Sequence, residues 1–545
     1  MKKNNIIIIV LLFVNLSFSQ TFEWAKNIGG DGLSNVTMKD VVATDNNGVF
    51  IVGSFSGTID FDPSNLVNDK VAVGTDGFAA RYSSEGNLLW VYTTNTTGAE
   101  EISVATFSNS MNLQLLNVVV KIGNNSFKMS ALNSNDGSVF ASSPLYYDQG
   151  GVTLNINGIN KTFSNEETAF YVVGSFDGTL QLGTIQLTNI AYTSAFCIKF
   201  TATTSDWFSL NWGKKYGTQS SNDVNDVTIN GQNTNPVIVG SFHGTIDFGS
   251  GSIHTSAGSK DIFVATLNSN DGSIVAPNAV FTLGSSTDDD ANSIYRSAES
   301  FSPIIIAGKF SDTVDFNPGV GVSNVTSSGS FDGFLAQYTP LSNNSYSLNW
   351  ANKIGNAYQD EIVDAVYNSN VYYTSRIQNS TFGTSIFLGA FDSNGNTMSY
   401  GGQLVPSLIN SQNYVTGLEM NSSNELYCAG IFGVNTDFDP GSGVATLFPV
   451  GNAFDGFIQK MSSANLSTVE FDPSNCILHP NPSKNYFELN SEQSIQKVEI
   501  YSMLGQLVKT FEVQNQYGIS DLEKGAYVIK ITTSKGTSNR TLLVN

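Results

Sequence analysis

The 545-residue chain is poor in the residues that build the commonest chemical sites. Its three cysteines, Cys197, Cys428 and Cys476, are too few and too scattered for a disulfide framework or a thiolate zinc cluster, and allow one bridge at most. Three histidines, His243, His254 and His479, leave little material for an imidazole metal site. Lys and Arg together number 25 against 46 Asp and Glu, so the formal charge is −21, and a phosphate-tracking role is excluded for want of basic side chains. Charged residues make up only 13%, about half the usual share, which argues against long, salt-bridged helices. No segment approaches the ~20 apolar residues that span a bilayer.

Hydrophobic residues reach 40% and aromatics 11%, with 50 Gly, 36 Phe and 21 Tyr. That mixture suits short strands joined by tight turns, and the expected class is all-β.

The N-terminus reads Met1-Lys2-Lys3, an apolar stretch from Ile6 to Val14, then small residues up to Gln20. This is the pattern of a signal peptide over residues 1–19, with cleavage between Ser19 and Gln20. Residues 472–545 carry seven acids and seven bases, so the negative charge belongs to the preceding body. That break, with Asp472-Pro473 and Pro480-Asn481-Pro482, predicts a body over 20–470 and a small β-sandwich over 475–545.

Internal repetition is the strongest signal in the body. The phrase Val52-Gly53-Ser54-Phe55 returns at Val173-Gly174-Ser175-Phe176 and Val239-Gly240-Ser241-Phe242, and in weaker form at Ala307-Gly308-Lys309-Phe310 and Ala429-Gly430-Ile431-Phe432. The glycine spacings are 121, 66, 68 and 122. The two long intervals hide degenerate copies at Val119-Val120-Lys121-Ile122 and Thr374-Ser375-Arg376-Ile377, and the count becomes seven. A second phrase, Gly77-Phe78-Ala79-Ala80 and its counterparts, supplies a phenylalanine to each unit. The degenerate units have a short link between the two phrases, as though a long loop were deleted. Four strands per unit, with hairpin pairs such as Asn47-Gly48, Asp136-Gly137, Asp271-Gly272 and Asn394-Gly395, predict a seven-bladed β-propeller. Trp24-Ala25-Lys26-Asn27-Ile28 matches the fourth-strand segments at Trp212 and Trp350, so the N-terminal strand is expected to complete the last blade. An open solenoid is the rival arrangement.

Two resemblances add to this reading. LHPNPSKNYFEL, VEIYSMLGQLVKTF, ISDLEKGAYVIKI and the closing RTLLVN are similar to the type A C-terminal sorting domain of type IX secretion substrates. The resemblance implies export across the outer membrane, recognition by the type IX machinery, and a secreted or cell-surface location on the outer face of the outer membrane. Carried onto this chain, the sorting signal falls on Pro480, Asn481, Pro482, Gly505, Gln506, Leu522, Gly525 and Tyr527. The body resembles bacterial β-propeller repeats of the SBBP kind, which implies the fold and no single activity.

Candidate sites each have a plainer reading. Asp60-Phe61-Asp62-Pro63, Asp315-Phe316-Asn317-Pro318 and Asp437-Phe438-Asp439-Pro440 place two side-chain oxygens after a strand, as a calcium loop does, but equally suit turn capping. Asp288-Asp289-Asp290 is expected to be a solvated charge run. The recurring tryptophans offer sugar stacking or packing. Glu100-Glu101, Glu166-Glu167 and Asp360-Glu361 are the carboxylate pairs that a glycosidase would use if they converged. No catalytic, cofactor or metal residues are assigned. The expected function is a surface binding or adhesion module for extracellular glycans or surface proteins, leaning away from catalysis. The alternative is a polysaccharide hydrolase or lyase with carboxylates at the channel mouth.

Overall fold

The structure is a computed structural model that describes residues 20–463 and 476–545, apart from short stretches inside each. The stretches left out are 31, 45–47, 65, 162–167, 190–191, 204–205, 218–220, 230–234, 298–301, 380–382, 399–401, 407–410, 442, 451–453, 492–494, 503–505 and 534–535. The chain divides into two compact units, Met1–Ser463 and Ala464–Asn545.

The first unit is all-β and runs through successive antiparallel groups. Group one comprises Asn35–Thr44, Gly48–Asp60, Asp69–Ser83 and Leu88–Thr93. The inner strands of the groups that follow are Glu100–Ser110, Leu154–Lys161, Asn222–Ile229, Asp290–Arg296, Asp360–Asn368 and Tyr414–Met420. Each inner strand packs against the next, and Tyr414–Met420 packs against Asn35–Thr44. The N-terminal strand Gln20–Gly30 pairs with Asp455–Ser463, from Gln20 opposite Ser463 to Ile28 opposite Gly456, and so forms the outer strand of the last group. The arrangement is propeller-like, with chain ends more than 400 residues apart sharing one sheet.

The repeated glycine has a geometric cause. Each inner strand shifts register once against its neighbour, and the glycine lies beside that bulge. A Cβ on Gly53, Gly174 or Gly240 would come within 2.0, 1.9 or 1.9 Å of the carbonyl oxygen of Thr37, Asn155 or Asp223, so only glycine fits there. The repeated phenylalanines form edge-on and tilted triads: Phe55, Phe61 and Phe78; Phe242, Phe248 and Phe263; Phe310, Phe316 and Phe334; Phe432, Phe438 and Phe457. All twelve rings are buried, and aromatic pairs of this kind add about 0.5–1.5 kcal/mol beyond their area burial.

The link between the two repeated phrases is built as an arm rather than the loop expected from sequence. In group one the paired strands extend through Thr58↔Val71 to Asp60↔Asp69, and in the group begun by Asn222 through Thr245↔Thr255 to Asp247↔Ile253. After Phe176 the hairpin Thr179–Leu182 with Ile185–Thr188 leaves its own group and extends the preceding sheet through Tyr146–Gln149.

The second unit has a three-stranded sheet (Cys476–His479, Tyr486–Ser491, Tyr517–Gly518) and a four-stranded sheet (Leu507–Phe511, Ile495–Ser502, Gly525–Thr533, Gly536–Val544). One apolar cluster, including Phe487, Val498, Ile500, Tyr517, Ile529 and Leu542, draws on both sheets.

Candidate functional site

Because each bulge moves the inner strand by one residue, it sets which side chain follows it toward the neighbouring group. Asp40, Asp226 and Asp364 occupy that position. Asp40 accepts the Val41 amide at 2.8 Å and the Ala105 amide of the next group at 2.9 Å. Asp226 takes the Val227 amide at 2.7 Å and the Ile294 amide at 2.9 Å. Asp364 takes the Ala365 amide at 2.8 Å, the Leu418 amide at 2.9 Å and the Ser293 hydroxyl at 2.7 Å. Each aspartate therefore ties its own strand to the next. Asn157 and Asn292 make neighbouring ties, donating to the carbonyls of Val224 and Ile362 at 2.9 and 2.8 Å.

Inside the ring of inner strands lies a cavity of about 650 Å³ to which all of them contribute. Its charged lining comprises Lys39, Asp40, Lys161, Asp226, Arg296, Asp364 and Glu419, with Tyr295 beside them. Loss of hydration pushes Asp40 up to about 7 and raises Asp364, while Asp226 and Glu419 rise well above the usual carboxylate range. Mutual repulsion adds to the rise in Glu419, which faces Asp364, Asp40 and Asp226, and Lys161 opposes it. The Lys161 ammonium donates to the Phe107 carbonyl. Arg296 has only 7% of its surface exposed, and its Nε and Nη1 have no hydrogen-bond partner among the described residues.

The pairs singled out from sequence do not converge here. Glu101 bonds Lys39 at 2.9 Å, Glu361 lies against Arg376 and Lys309, and Glu100 and Asp360 are buried against neighbouring loops. Asp360 accepts the amides of Asn356 and Gln378 at 2.6 and 2.8 Å. Glu166 and Glu167 lie outside the described residues. The calcium-like loops use their oxygens on the backbone. Asp60 Oδ1 accepts the amides of Asp62 and Asn68, and Asp315 and Asp437 repeat the pattern with Asn317 and Ser323, and with Asp439 and Ala445. Among the described residues no group of three or more His, Cys, Asp or Glu side chains is placed to hold a metal ion.

The Asp288-Asp289-Asp290 run is a correction. Asp289 is fully buried and accepts the amides of Ser285 and Ser311, because the loop between two groups folds around its carboxylate. The tryptophans are packing elements. Trp24, Trp90, Trp212 and Trp350 donate their indole N–H to the carbonyls of Ser84, Ser134, Ser269 and Ser393, each in the hairpin turn of the next group. A Cβ on Gly137, Gly272 or Gly395 would lie 2.6, 2.6 or 2.7 Å from the ring of Trp90, Trp212 or Trp350, and all three glycines have positive φ. Cys197 and Cys428 are buried free thiols.

In the second unit Asn481 accepts the Leu543 amide at 2.8 Å, and Ser483 exchanges bonds with Leu543 and Asn545. The Pro480-Asn481-Pro482 stretch is thus held to the closing strand, 62 residues away. Gln506 bonds back to Ser502, Leu522 packs beside the core, and the Tyr527 hydroxyl donates to the Glu523 carbonyl. A Cβ at Gly525 would meet nothing. Gly505 and Ser19 lie outside the described residues, and Gln20 opens the first strand.

Residues 477–545 match the family described as the secretion system C-terminal sorting domain. The chain is thus a type IX secretion substrate, a secreted or cell-surface protein. Among the described residues no helix is long and apolar enough to cross a membrane. No curated protein is significantly similar to the chain. Solved structures that the chain matches include the quinohemoprotein alcohol dehydrogenase ADHIIG from Pseudomonas putida HK5, at 8% identity and a TM-score of 0.37, covering 83% of this chain and 78% of that one. Drosophila Semaphorin 2a matches at 8% identity and a TM-score of 0.38, covering 97% and 98%. The extracellular domain of a putative hybrid two-component system of B. thetaiotaomicron matches at 10% identity and a TM-score of 0.17, covering 93% and 86%.

Proposed function

We propose that the protein is a seven-bladed β-propeller closed by its own N-terminal strand, followed by a small β-sandwich, and that it acts at the cell surface as a binding or adhesion module. Its signal peptide is residues 1–19, cleaved after Ser19. Its propeller is 20–470, and the sandwich at 475–545 is read by the type IX machinery through Pro480, Asn481, Pro482, Gly505, Gln506, Leu522, Gly525 and Tyr527. The mature chain is carried to the outer face of the outer membrane, where the propeller meets extracellular glycans or surface proteins.

The observation that carries this reading is the sorting domain on a body whose inner strands surround a 650 Å³ cavity. Three of the four carboxylates in that cavity are occupied with backbone amides. A glycosidase of the usual kind needs two free carboxyl groups flanking one bond, and among the described residues of the cavity only Glu419 is without such amide bonds, which favours binding over hydrolysis. The test is to incubate the purified chain with a panel of polysaccharides and follow both retention and new reducing ends. Retention without new ends is the expected result; new ends would make the protein a hydrolase or lyase. Deletion of residues 478–545 should abolish surface display, and a truncated chain that still reached the surface would remove the sorting assignment.

A further inference from the structure

In group three the arm that follows Phe176 is the hairpin Thr179–Leu182 with Ile185–Thr188, and it pairs with Tyr146–Gln149, which itself pairs with Ser126–Asn133 of group two. The hairpin thus crosses the seam between groups two and three. Its apolar side is part of the core: Leu180 and Leu182 are fully buried and Leu187 is 8% exposed, in one cluster with Tyr146, Leu154 and Phe196. It lies over the outer strand Ser209–Tyr216 of group three, where a Cβ on Gly213 would come 2.6 Å from a Leu182 methyl.

The root of this strap is a clasp of two aspartates and two glycines. Asp148 is fully buried, and its Oδ2 accepts the amides of Asp177 and Gly178, at 3.3 and 3.0 Å, from the turn that opens the hairpin. Asp177 returns the contact. Its Oδ1 accepts the amides of Val152 and Thr153, at 2.8 and 3.1 Å, from the loop that follows Asp148. The approach is close enough that a Cβ on Gly151 would lie within 2.7 Å of both Asp148 Oδ2 and Asp177 Oδ1, and a Cβ on Gly178 would lie 2.5 Å from Asp148 Oδ1. The two carboxyl groups are within hydrogen-bond reach of each other, while Asp148 Oδ1 is buried with no donor among the described residues.

Two carboxylates in contact do not both ionise without a large cost, and a single proton turns their repulsion into an O–H···O bond. No cation does that work here. The flanking strands and the turn bring one charged side chain besides the two aspartates, Lys128 of Ser126–Asn133, and among the described residues it is bonded to neither carboxylate.

We propose that the hairpin is a proton-locked strap: one proton shared by Asp148 and Asp177 closes it across the seam between groups two and three, and loss of that proton lets it lift. Burial first, and then the charge of Asp177, raise the Asp148 carboxyl above its ordinary value, against the pull of the Gly178 and Asp177 amides. The closed strap therefore binds its proton more tightly than the lifted one. Closure is complete in mild acid and weakens as pH rises through the value of the closed form. Lifting frees the hairpin and the edge of Tyr146–Gln149 together, while the group-three strand Thr168–Phe176 stays between its own neighbours.

The experiment is hydrogen exchange on the full chain at pH 5 and pH 8, with each peptide's rate divided by its intrinsic rate so that the pH dependence of the exchange chemistry drops out. Peptides over 179–188 and 146–149 should lose about tenfold more protection between pH 5 and pH 8 than Thr168–Phe176, which reports opening of the whole group. Asp148→Asn keeps an oxygen for the two amides and places an N–H where the proton sits, so the hairpin should stay protected at both pH values. Asp177→Asn repeats that test from the other side, since its oxygen equally takes both amides. Asp148→Ala removes the acceptor and should leave the hairpin fast-exchanging at both pH values, with circular dichroism checking that the ring is folded. Hairpin protection that moves no more than that of Thr168–Phe176 would overturn the proposal. So would a native pH response that survives in the two asparagine variants, because another group would then be titrating.

Discussion

On the outer strands, Trp24, Trp90, Trp212 and Trp350 reach into the next group with an indole ring and one N–H bond. On the inner strands, Asp40, Asp226 and Asp364 reach into the next group with a carboxylate and take its amide. The two devices are distributed differently. Tryptophan ties close the seams from the last group to the first and those after groups one, three and five; aspartate ties close the seams after groups one, four and six. Among the described residues only the seam after group two has neither, and there Trp207 donates to Asn117 Oδ1 at 2.7 Å. The seams are thus held by apolar area at the rim or by amide-to-carboxyl bonds at the channel, and the two differ in cost. The rim ties gain from burial at any pH, whereas the channel ties keep carboxylates out of water.

The largest effect should come from removing a rim tie. Trp212→Ala, at a side chain 8% exposed, should cost about 3–5 kcal/mol in urea unfolding followed by far-ultraviolet circular dichroism. A loss below about 1 kcal/mol would mean the rim rings are not what holds that seam. Next, Asp226→Ala strands the amides of Val227 and Ile294 and should cost about 1–3 kcal/mol. Asp226→Asn keeps one acceptor oxygen but turns an NH2 toward the other amide, so it should cost about 1 kcal/mol, less than the alanine variant; a loss as large as that of the alanine variant would show that both carboxyl oxygens are required.

The pH profile sharpens the contrast further. Asp40 titrates at about 7 in the folded chain and Asp289 at about 6, both above the ~3.9 of an unfolded aspartate. The folded state therefore holds its protons more tightly, and their contribution is complete below pH ~4 and lost as pH rises through about 7. The unfolding midpoint should be higher at pH 5 than at pH 8, and Asp40→Asn should reduce the difference while Trp212→Ala leaves it unchanged. A midpoint that rose between pH 5 and pH 8 would contradict the burial of these carboxylates. The smallest effect is expected at the turns: Gly123→Ala places a Cβ in open space and should cost only the roughly 1 kcal/mol of a positive φ.

The rim was more legible in sequence than the channel. Tryptophans at the repeat period beside hairpin glycines announce packing, and the recurring Gly-Ser-Phe and Gly-Phe phrases mark two strands whose spacing counts the units. The Asp-Phe-Asp-Pro loops were half legible. Their aspartates cap turns as the plainer reading expected, but Phe61, Phe316 and Phe438 lie in the core, which nothing local in the loop announces. The channel residues were missed because each sits alone in its unit. Asp40-Val41, Asp226-Val227 and Asp364-Ala365 share a pattern of aspartate before an apolar residue at the start of the unit, and that was the available signal. Arg296 and Glu419 have no repeated counterpart, so only the ring that brings distant strands together reveals them. Asp289 was misread because charge runs are usually solvated, whereas here a loop wraps the carboxylate with amides.

Closure of the ring is the claim on which seams, channel and ligand all depend. Thr21 and Ser462 pair across the outer strands of the last group, with their hydroxyls 3.5 Å apart although the two are 441 positions apart in the chain. The most direct test is the double variant Thr21→Cys and Ser462→Cys, oxidised under native conditions. The account predicts quantitative disulfide formation and a stability gain of about 2–4 kcal/mol. Thiols introduced at positions 21 and 462 that stay free in the folded, oxidised protein, beyond the native Cys197 and Cys428, would mean an open array and would contradict it.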